Sequence, residues 1–418
     1  MSVLARPTLA FDPAIPQRDT LLDSTVVAER LSHLLARRGR LPIDRCKRLR
    51  VKYRIGARLR TVHVVHALGR RFLVSASTFP TPERTERAYG EALQEAVRCG
   101  PVAPVARDHE LGAVFWVLPN DRKLRALPAL VRPDRAVAGA LEPRWAGSRL
   151  VAYAPEKAAT VGCLDRAGRT LGFAKAYAGD EGYRTALVHA SLEGALGEDP
   201  ELRVPRALGY SPRHRTILVE AVPGRPVAAL GAHAYDRLGR ALARLHALPP
   251  PDAARFVRAD PDRLERAADL IGSVRDDVAE AAHDLADALR TRAGGEGDSC
   301  LHGDVNFRNA LLAGDRVTLI DLDQVARGPA AAELGSVLAA LRYARIVELL
   351  PDEDVAGLEE AFLAGYAELG RLPADDELRS YTAAALLGER ALRVVTRLRE
   401  VGLARLPRLL DEAHEVLA

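Results

Sequence analysis

Two kinds of hydrophobic patterning divide the chain. Up to about residue 222, apolar residues alternate or cluster in short runs bounded by Gly and Pro, as in strands and turns; beyond it they recur at helical spacing. Residues 1–20 are punctuated by Pro and predict a loose arm, and Val, Leu and Ala at helical spacing predict a helix over 21–38. The runs Leu59–Val65 and Phe72–Ser77, parted by Gly69, predict a hairpin. A Glu-rich helix is expected over about 82–98, then Pro104, a short strand Ala113–Leu118 and a Pro-bounded linker to about 145.

The same order returns about one hundred residues later. Tyr53 is answered by Tyr153, Gly69 by Gly168 and Pro104 by Pro205. The second set of strands is expected at Ser148–Ala154, Ala158–Leu164 and Thr170–Tyr177, with a helix over 181–196 and a last strand Thr216–Ala221. This reads as a duplicated β-rich module, the competing reading being a chance alignment of two hairpin-plus-helix units.

From Val222 the pattern is nearly all helical. Residues 232–247 carry a strong apolar stripe, and helices over about 260–293 are parted by Gly272. A short β-containing stretch spans 300–325, and helices run from about 330 to the end with breaks at Pro351, Pro373 and Gly402. A β-rich part thus precedes a helical part, an α+β arrangement with a cleft between them.

Composition narrows the function classes. A chain of 418 residues is too long for one core and predicts two or three domains. Hydrophobic residues at 48% and charged residues at 28% fit a soluble globular protein. The 60 basic residues are spread out and the net charge is only +4, which argues against nucleic-acid and membrane-surface partners. Only Lys47, Lys52, Lys123, Lys157 and Lys175 are lysines, so each marks a possible need for a compact ammonium where Arg would not serve. The four cysteines, at 46, 99, 163 and 300, show neither pairing motif nor zinc spacing, which predicts reduced thiols in a cytoplasmic protein. No secretory apolar segment and no 18-residue apolar run is seen, so neither secretion nor membrane spanning is expected.

The segment carrying chemistry is Leu301–Gln324, L-H-G-D-V-N-F-R-N-A-L-L-A-G-D-R-V-T-L-I-D-L-D-Q. Phosphoryl transfer needs an acceptor held in line and metal ions on the triphosphate. Asp304 suits the proton acceptor for an attacking hydroxyl. Asn309 and Asp321 supply hard oxygen ligands for Mg²⁺, with a hairpin returning Asp321 towards Asn309.

His302, Asp304, Asn309 and Asp321 resemble the H-G-D-x-x-x-x-N and I-D-x-D pattern of the aminoglycoside phosphotransferase and choline kinase superfamily. The resemblance implies a protein kinase-like bilobal fold, with a β-rich N-lobe and a helical C-lobe, using ATP and Mg²⁺. It implies a structural role for His302. The chain departs from the pattern at G-P-A-A-A-E-L-G, where Glu333 replaces the usual Asp and the Asp after Gly328 is missing, which blurs the acceptor class.

The same likeness implies a nucleotide-binding lysine on a strand, held by a Glu on the next helix. Lys175 in L-G-F-A-K-A-Y is that lysine, with Glu193 as its partner and Glu181 competing; the first module has no Lys at the equivalent position near Ala76. The turn Pro155–Ala158 is placed over the phosphates, with Lys157 contributing. The backbone of Glu220 and Val222 is placed at the adenine edge, and His246 is read as packed. The expected domains are an N-terminal module over 1–140, a degenerate second N-lobe; a nucleotide lobe over 141–222; and a helical C-lobe over 223–418.

The acceptor implied is a hydroxyl on an aminoglycoside, amino sugar or related metabolite. Alternatives are Ser or Thr in a natural-product precursor peptide, and a nucleotide-binding pseudokinase scaffold. A polycationic acceptor calls for an acidic cleft, for which Asp323, Glu333, Glu359 and Glu360 are candidates.

Overall fold

The computed structural model describes residues 8–256, 262–290, 292 and 297–418. The first part of the expected arm, residues 1–7, and residues 260–261, 291 and 293 of the expected helices lie outside them.

Two short helices, α1 (Arg18–Leu22) and α2 (Ser24–Leu34), precede β1 (Ile43–Arg54), β2 (Arg58–Ala67) and β3 (Arg70–Thr78). Then come α3 (Pro82–Gln94), β4 (Val105–Asp108) and β5 (Ala113–Val117). The Asp23 carboxylate caps α2, and Thr81 caps α3 with Pro82 in its first turn. Where a linker was expected, α4 (Leu127–Val131) and α5 (Arg135–Leu141) form. Leu130, Val137 and Trp145 bury against the second sheet, which is why this stretch is ordered.

The second sheet comprises β6 (Gly147–Ala154), β7 (Ala158–Leu164) and β8 (Thr170–Tyr177), then, beyond α6 (Glu181–Leu196) and the short β9 (Leu202–Arg203), β10 (Ala207–Ser211) and β11 (Thr216–Glu220). The two sheets have the same strand order, β1-β2-β3-β5-β4 and β6-β7-β8-β11-β10. Their first turns are built alike. Gly56 and Glu156 both sit in the left-handed region, at φ 67° and 58°. Tyr53 Oη and the Gly56 N–H donate to Asp12 Oδ2 at 2.5 and 3.0 Å; Tyr153 Oη and the Glu156 N–H donate to Asp121 Oδ2 at 2.7 and 3.0 Å. Registers agree too. Ser77 faces Arg60 and Val114, as Lys175 faces Thr160 and Ile217. Ser77, one residue beyond Ala76, therefore occupies the lysine's register, and it carries no charge.

The helical part begins after the small strand β12 (Arg225–Pro226). It contains α7 (Ala232–His246), β13 (Arg255–Phe256), α8 (Asp262–Gly272), α9 (Ala279–Arg290), β14 (Ser299–Leu301), β15 (Ala310–Ala313), β16 (Arg316–Leu319) and β17 (Ala326–Gly328). Helices α10 (Ala330–Ile346), α11 (Asp352–Leu369) and α12 (Asp375–Ala385) follow. A π-helical stretch, Leu386–Ala391, leads into α13 (Leu392–Arg397), then α14 (Glu400–Ala404) and α15 (Leu406–Leu417). The break expected at Gly402 falls instead at Leu398, which takes a left-handed conformation, and Gly402 lies inside α14. The fold is α+β and bilobal, with the second sheet facing the helical lobe.

The cores explain how the first sheet is attached. One core joins α6 and β9 to α7, α10 and α11, knitting the two lobes. Another runs from Leu21, Leu31, Val65 and Phe115 of the first module into Leu285 of α9 and Val395, Leu406 and Leu410 of the terminal helices. The first module is thus packed on the helical lobe. Among the described residues, no helix is long and apolar enough to cross a membrane.

His63 of β2 is buried with neither ring nitrogen hydrogen-bonded. Burial, reinforced by the charge of Arg48, pushes its pKa from 6.5 down to about 4. A depressed basic group stabilises fully above its unfolded pKa and loses that contribution as pH falls. Stability should drop by about 3 kcal/mol on going down to pH ~4 through this residue. Urea-denaturation midpoints measured across that range should fall in the wild type and fall distinctly less in His63→Leu.

Candidate active site

The catalytic-segment loop lies between β14 and β15. Its shape depends on one buried carboxylate. Glu333, in the first turn of α10, accepts the N–H of His302 at 3.0 Å and of Gly303 at 2.7 Å, and lies 3.0 Å from His246 Nε2. Burial alone would raise its pKa, but His246, His302 and the Gly303 N–H outweigh it, so the carboxyl is held below its ordinary value. His246 also bonds Tyr366 Oη at 3.0 Å. The packed role expected for it therefore includes holding Glu333.

His302 is fully buried. Its Nε2 donates to the Ile320 carbonyl at 2.9 Å, and its Nδ1 accepts the Asp304 N–H at 3.4 Å, a pair that requires the Nε2–H tautomer. Gly303 is the one position here where only glycine fits: φ is +79°, and a Cβ would lie 2.1 Å from the Gln324 carbonyl. The loop is thereby clamped against the turn after β16. The Ile320 N–H donates to the Asn309 carbonyl at 2.8 Å, which sets Asn309 beside Asp321. Asn309 Nδ2 donates to the Asp304 carbonyl at 3.2 Å, and Asp304 Oδ1 accepts from Arg393 of α13 at 3.1 Å.

Across the cleft, Lys175 Nζ of β8 reaches Asp321 Oδ1 at 2.5 Å and Asp323 Oδ2 at 2.7 Å. Asp321 sits in the left-handed region at φ 68°, which turns its side chain towards the sheet. Tyr177 Oη donates to Asp323 Oδ1 at 2.6 Å, and the Arg184 guanidinium donates to the Asp323 carbonyl. Burial opposes the charge on Lys175, but Asp323 and Asp321 outweigh it and its pKa rises. Burial likewise opposes the charge on Asp323, and Lys175 and Tyr177 overcome it, so its pKa falls. Both stay charged at neutral pH.

The expected Lys175–Glu193 pair is not formed. The buried stripe of α6 is Thr185, Val188, His189, Leu192 and Leu196, and Glu193 falls beside it without a side-chain partner. Glu181 does not reach Lys175 either. From α6, Arg184 reaches Asp323, and His189, kept neutral by burial with its Nδ1 2.7 Å from the Pro205 carbonyl, lies within electrostatic reach of Lys175, Asp321 and Asp323.

Lys157 stands exposed on the β6–β7 turn, and the Val222 N–H after β11 has no partner among the described residues. The Glu220 carboxylate points away from the cleft to Arg203 and to the Arg206 N–H and guanidinium. Three of the four candidate acids for a cationic acceptor are engaged: Asp323 and Glu333 as described, and Glu359 by Arg342 at 2.9 Å. Sequence reasoning missed Tyr177, Arg184, His189 and Arg393, which sit in ordinary strands and helices with no motif to mark them.

The fold and this region have the layout of a kinase-like phosphotransferase. Residues 184–381, which hold the catalytic segment, match the model of the phosphotransferase enzyme family, APH. Among solved structures the chain is similar to aminoglycoside phosphotransferase APH(3'')-Id from Streptomyces rimosus ATCC10970, at 23% identity over 66% of this chain and 98% of that one, TM-score 0.44. It is also similar to the amicoumacin kinase hAmiN, solved with AMP-PNP, Ca²⁺ and Ami, at 15% identity over 69% and 91%, TM-score 0.48. A third is a choline/ethanolamine kinase family protein from Mesorhizobium loti, at 13% identity over 69% and 92%, TM-score 0.46. No curated protein matches the chain.

Glu333→Gln keeps the shape but leaves one backbone N–H of the loop without its acceptor. An orphaned buried donor costs about 1–3 kcal/mol. Thermal denaturation should show that loss, and phosphotransfer should lose kcat more than KM for ATP.

Proposed function

We propose that the chain moves the γ-phosphoryl group of ATP to a hydroxyl of a small molecule. The observation that carries this reading is the convergence of Lys175 from the sheet with Asp321 and Asp323 from the helical lobe, beside a loop holding Asp304 and Asn309. Lys175 binds the nucleotide phosphates, and the Lys157 turn covers them. The Val222 N–H and the Glu220 backbone meet the adenine edge. Asp304 takes the proton of the attacking hydroxyl, and Arg393 orients its carboxylate.

Mg²⁺ fits Asn309 and Asp321. Asp321 is 41% exposed with only Oδ1 bonded, and the Asn309 side-chain oxygen has no partner. Two protein oxygens are a partial shell, as suits an ion that keeps waters and substrate phosphates. Bound there, the ion neutralises charge developing on the triphosphate.

The first module, in this reading, is a second N-lobe that has lost its nucleotide site, since an uncharged Ser77 takes the place of Lys175. The repeated carboxylate pin and strand order support it.

Asp304→Asn should lower Mg²⁺-dependent phosphotransfer by about 10²–10⁴-fold with ATP affinity retained. Lys175→Ala should weaken ATP use far more than Lys52→Ala. A mass-shift assay over hydroxylated acceptors measures both. Nucleotide binding without turnover on any acceptor would favour a scaffold instead, and equal effects of the two lysine variants would overturn the choice of working lobe.

A further inference from the structure

Beside Lys157, whose turn is read as covering the phosphates, stand cations that the phosphotransfer reading leaves unused. The side chains of Lys52 of β1, Lys157 of the β6–β7 turn and Arg397 of α13 make no hydrogen bond or ion pair with any described residue. Together with Arg50 and Arg60 they line a cavity of about 60 Å³ where the first sheet, the second sheet and the helical lobe meet. No acidic residue lines it. Glu156, on the adjacent turn, is already shared among Arg58 at 3.0 Å, Arg122 at 3.4 Å and Arg60 at 3.8 Å. Thr61, also in the lining, is 2% exposed with its Oγ1 unpartnered.

Only Arg60 of the five has a carboxylate in reach, the shared Glu156, and the like charges repel one another. Burial and then Arg60, Lys157, Arg397 and Arg50 depress the Lys52 pKa, and burial with Arg50, Arg393 and Arg399 pushes that of Arg397 down to about 10. An anion offsets this repulsion. The volume is several times the ~10–15 Å³ that one water needs, which gives room for one phosphate or carboxylate head.

The cavity adjoins the reacting groups. Arg393, one helical turn before Arg397, holds Asp304. Arg50 and Arg397 also line a groove of about 870 Å³ that includes Arg308 of the catalytic loop, where Lys47, Arg48 and Arg399 add further positive charge against Asp23 and Glu400.

We propose that the acceptor is an anionic hydroxy compound, such as a sugar phosphate or sugar acid, whose anion sits among Arg50, Lys52, Arg60, Lys157 and Arg397 while its hydroxyl reaches Asp304. This rests on the reading of Asp304 as proton acceptor. The hydroxyl oxygen bonds the γ-phosphorus, the bond from that phosphorus to the β–γ bridging oxygen breaks, the hydroxyl proton passes to Asp304, and ADP leaves. Polycations are disfavoured by the same cations.

Two measurements on the full chain test this. The first is calorimetric titration with inorganic phosphate, with and without Mg²⁺ and AMP-PNP. Saturable binding is expected, unaffected by AMP-PNP and weakened about tenfold by Lys52→Met and by Arg397→Gln, with Lys52→Arg retaining it. Lys52 is solvent-accessible in spite of its partial burial, so its variants test charge with little effect on the fold. The second compares transfer to size-matched sugars, sugar phosphates, sugar acids and amino sugars. The anionic members should be favoured, with their KM raised about tenfold by the same variants and KM for ATP unchanged. Phosphate binding indifferent to both variants, displacement by AMP-PNP, or preference for neutral or amino sugars would overturn the proposal. ATP turnover untouched by Asp304→Asn would sink the phosphotransfer reading, and the titration, which needs no turnover, separates the two failures.

Discussion

The arrangement turns on Glu156. Its carboxylate is 3% exposed and has three arginines of the preceding module, Arg58, Arg60 and Arg122, around it. A buried carboxylate persists only when its charge is matched, and removing one partner leaves a charge that the interior does not tolerate. The turn bearing Glu156 is also held by the Asp121 carboxylate on its N–H, by Arg60 on the Pro155 carbonyl and by Arg50 on the Tyr153 carbonyl. The turn proposed to cover the nucleotide is therefore fixed from outside, and the same contacts bring Arg50, Lys52 and Arg60 to the mouth of the cleft. A glycine-rich turn at this position would derive its mobility from its own backbone; this one takes its shape from a neighbouring sheet.

The candidate catalytic segment was legible because its contacts are local. Asp304, Asn309 and Asp321 lie within one loop and hairpin, and the bonds joining them run through His302, Asn309 and Ile320 of the same stretch. Four strands of the second sheet, β6, β7, β8 and β11, were legible to within a residue because sharp turns bound them; the edge strand β10 was not foreseen. The Lys175 partner was not, because it depends on which α6 residues face the sheet. A shift of one position separates buried Leu192 from Glu193. Arg393 lies beyond sequence reasoning for another reason: 89 residues separate it from Asp304, and only the packing of α13 brings it close. The stretch expected as a linker carries helix-start signals, Pro128 in the first turn of α4 and Asp134 capping α5, but its order comes from burial against the second sheet.

The replacement of the family's usual Asp by Glu333 has a structural meaning. The longer side chain starts from α10 and still accepts two backbone N–H groups of the catalytic loop while meeting His246. The departure that blurred the acceptor class is a matter of loop support. The acceptor is instead argued from charges that the first module contributes, far from any motif.

The shared core between the first module and the terminal helices bears on how a substrate enters. A module joined through Leu31 and Phe115 to Leu406 and Leu410 does not swing aside as a hinged flap would. The groove of about 870 Å³ along the outer edge of β1, next to Arg308, stands open as one way in. Selection among acceptors would then occur at the doorway, by what its rim attracts or repels, before any closure around the reacting groups.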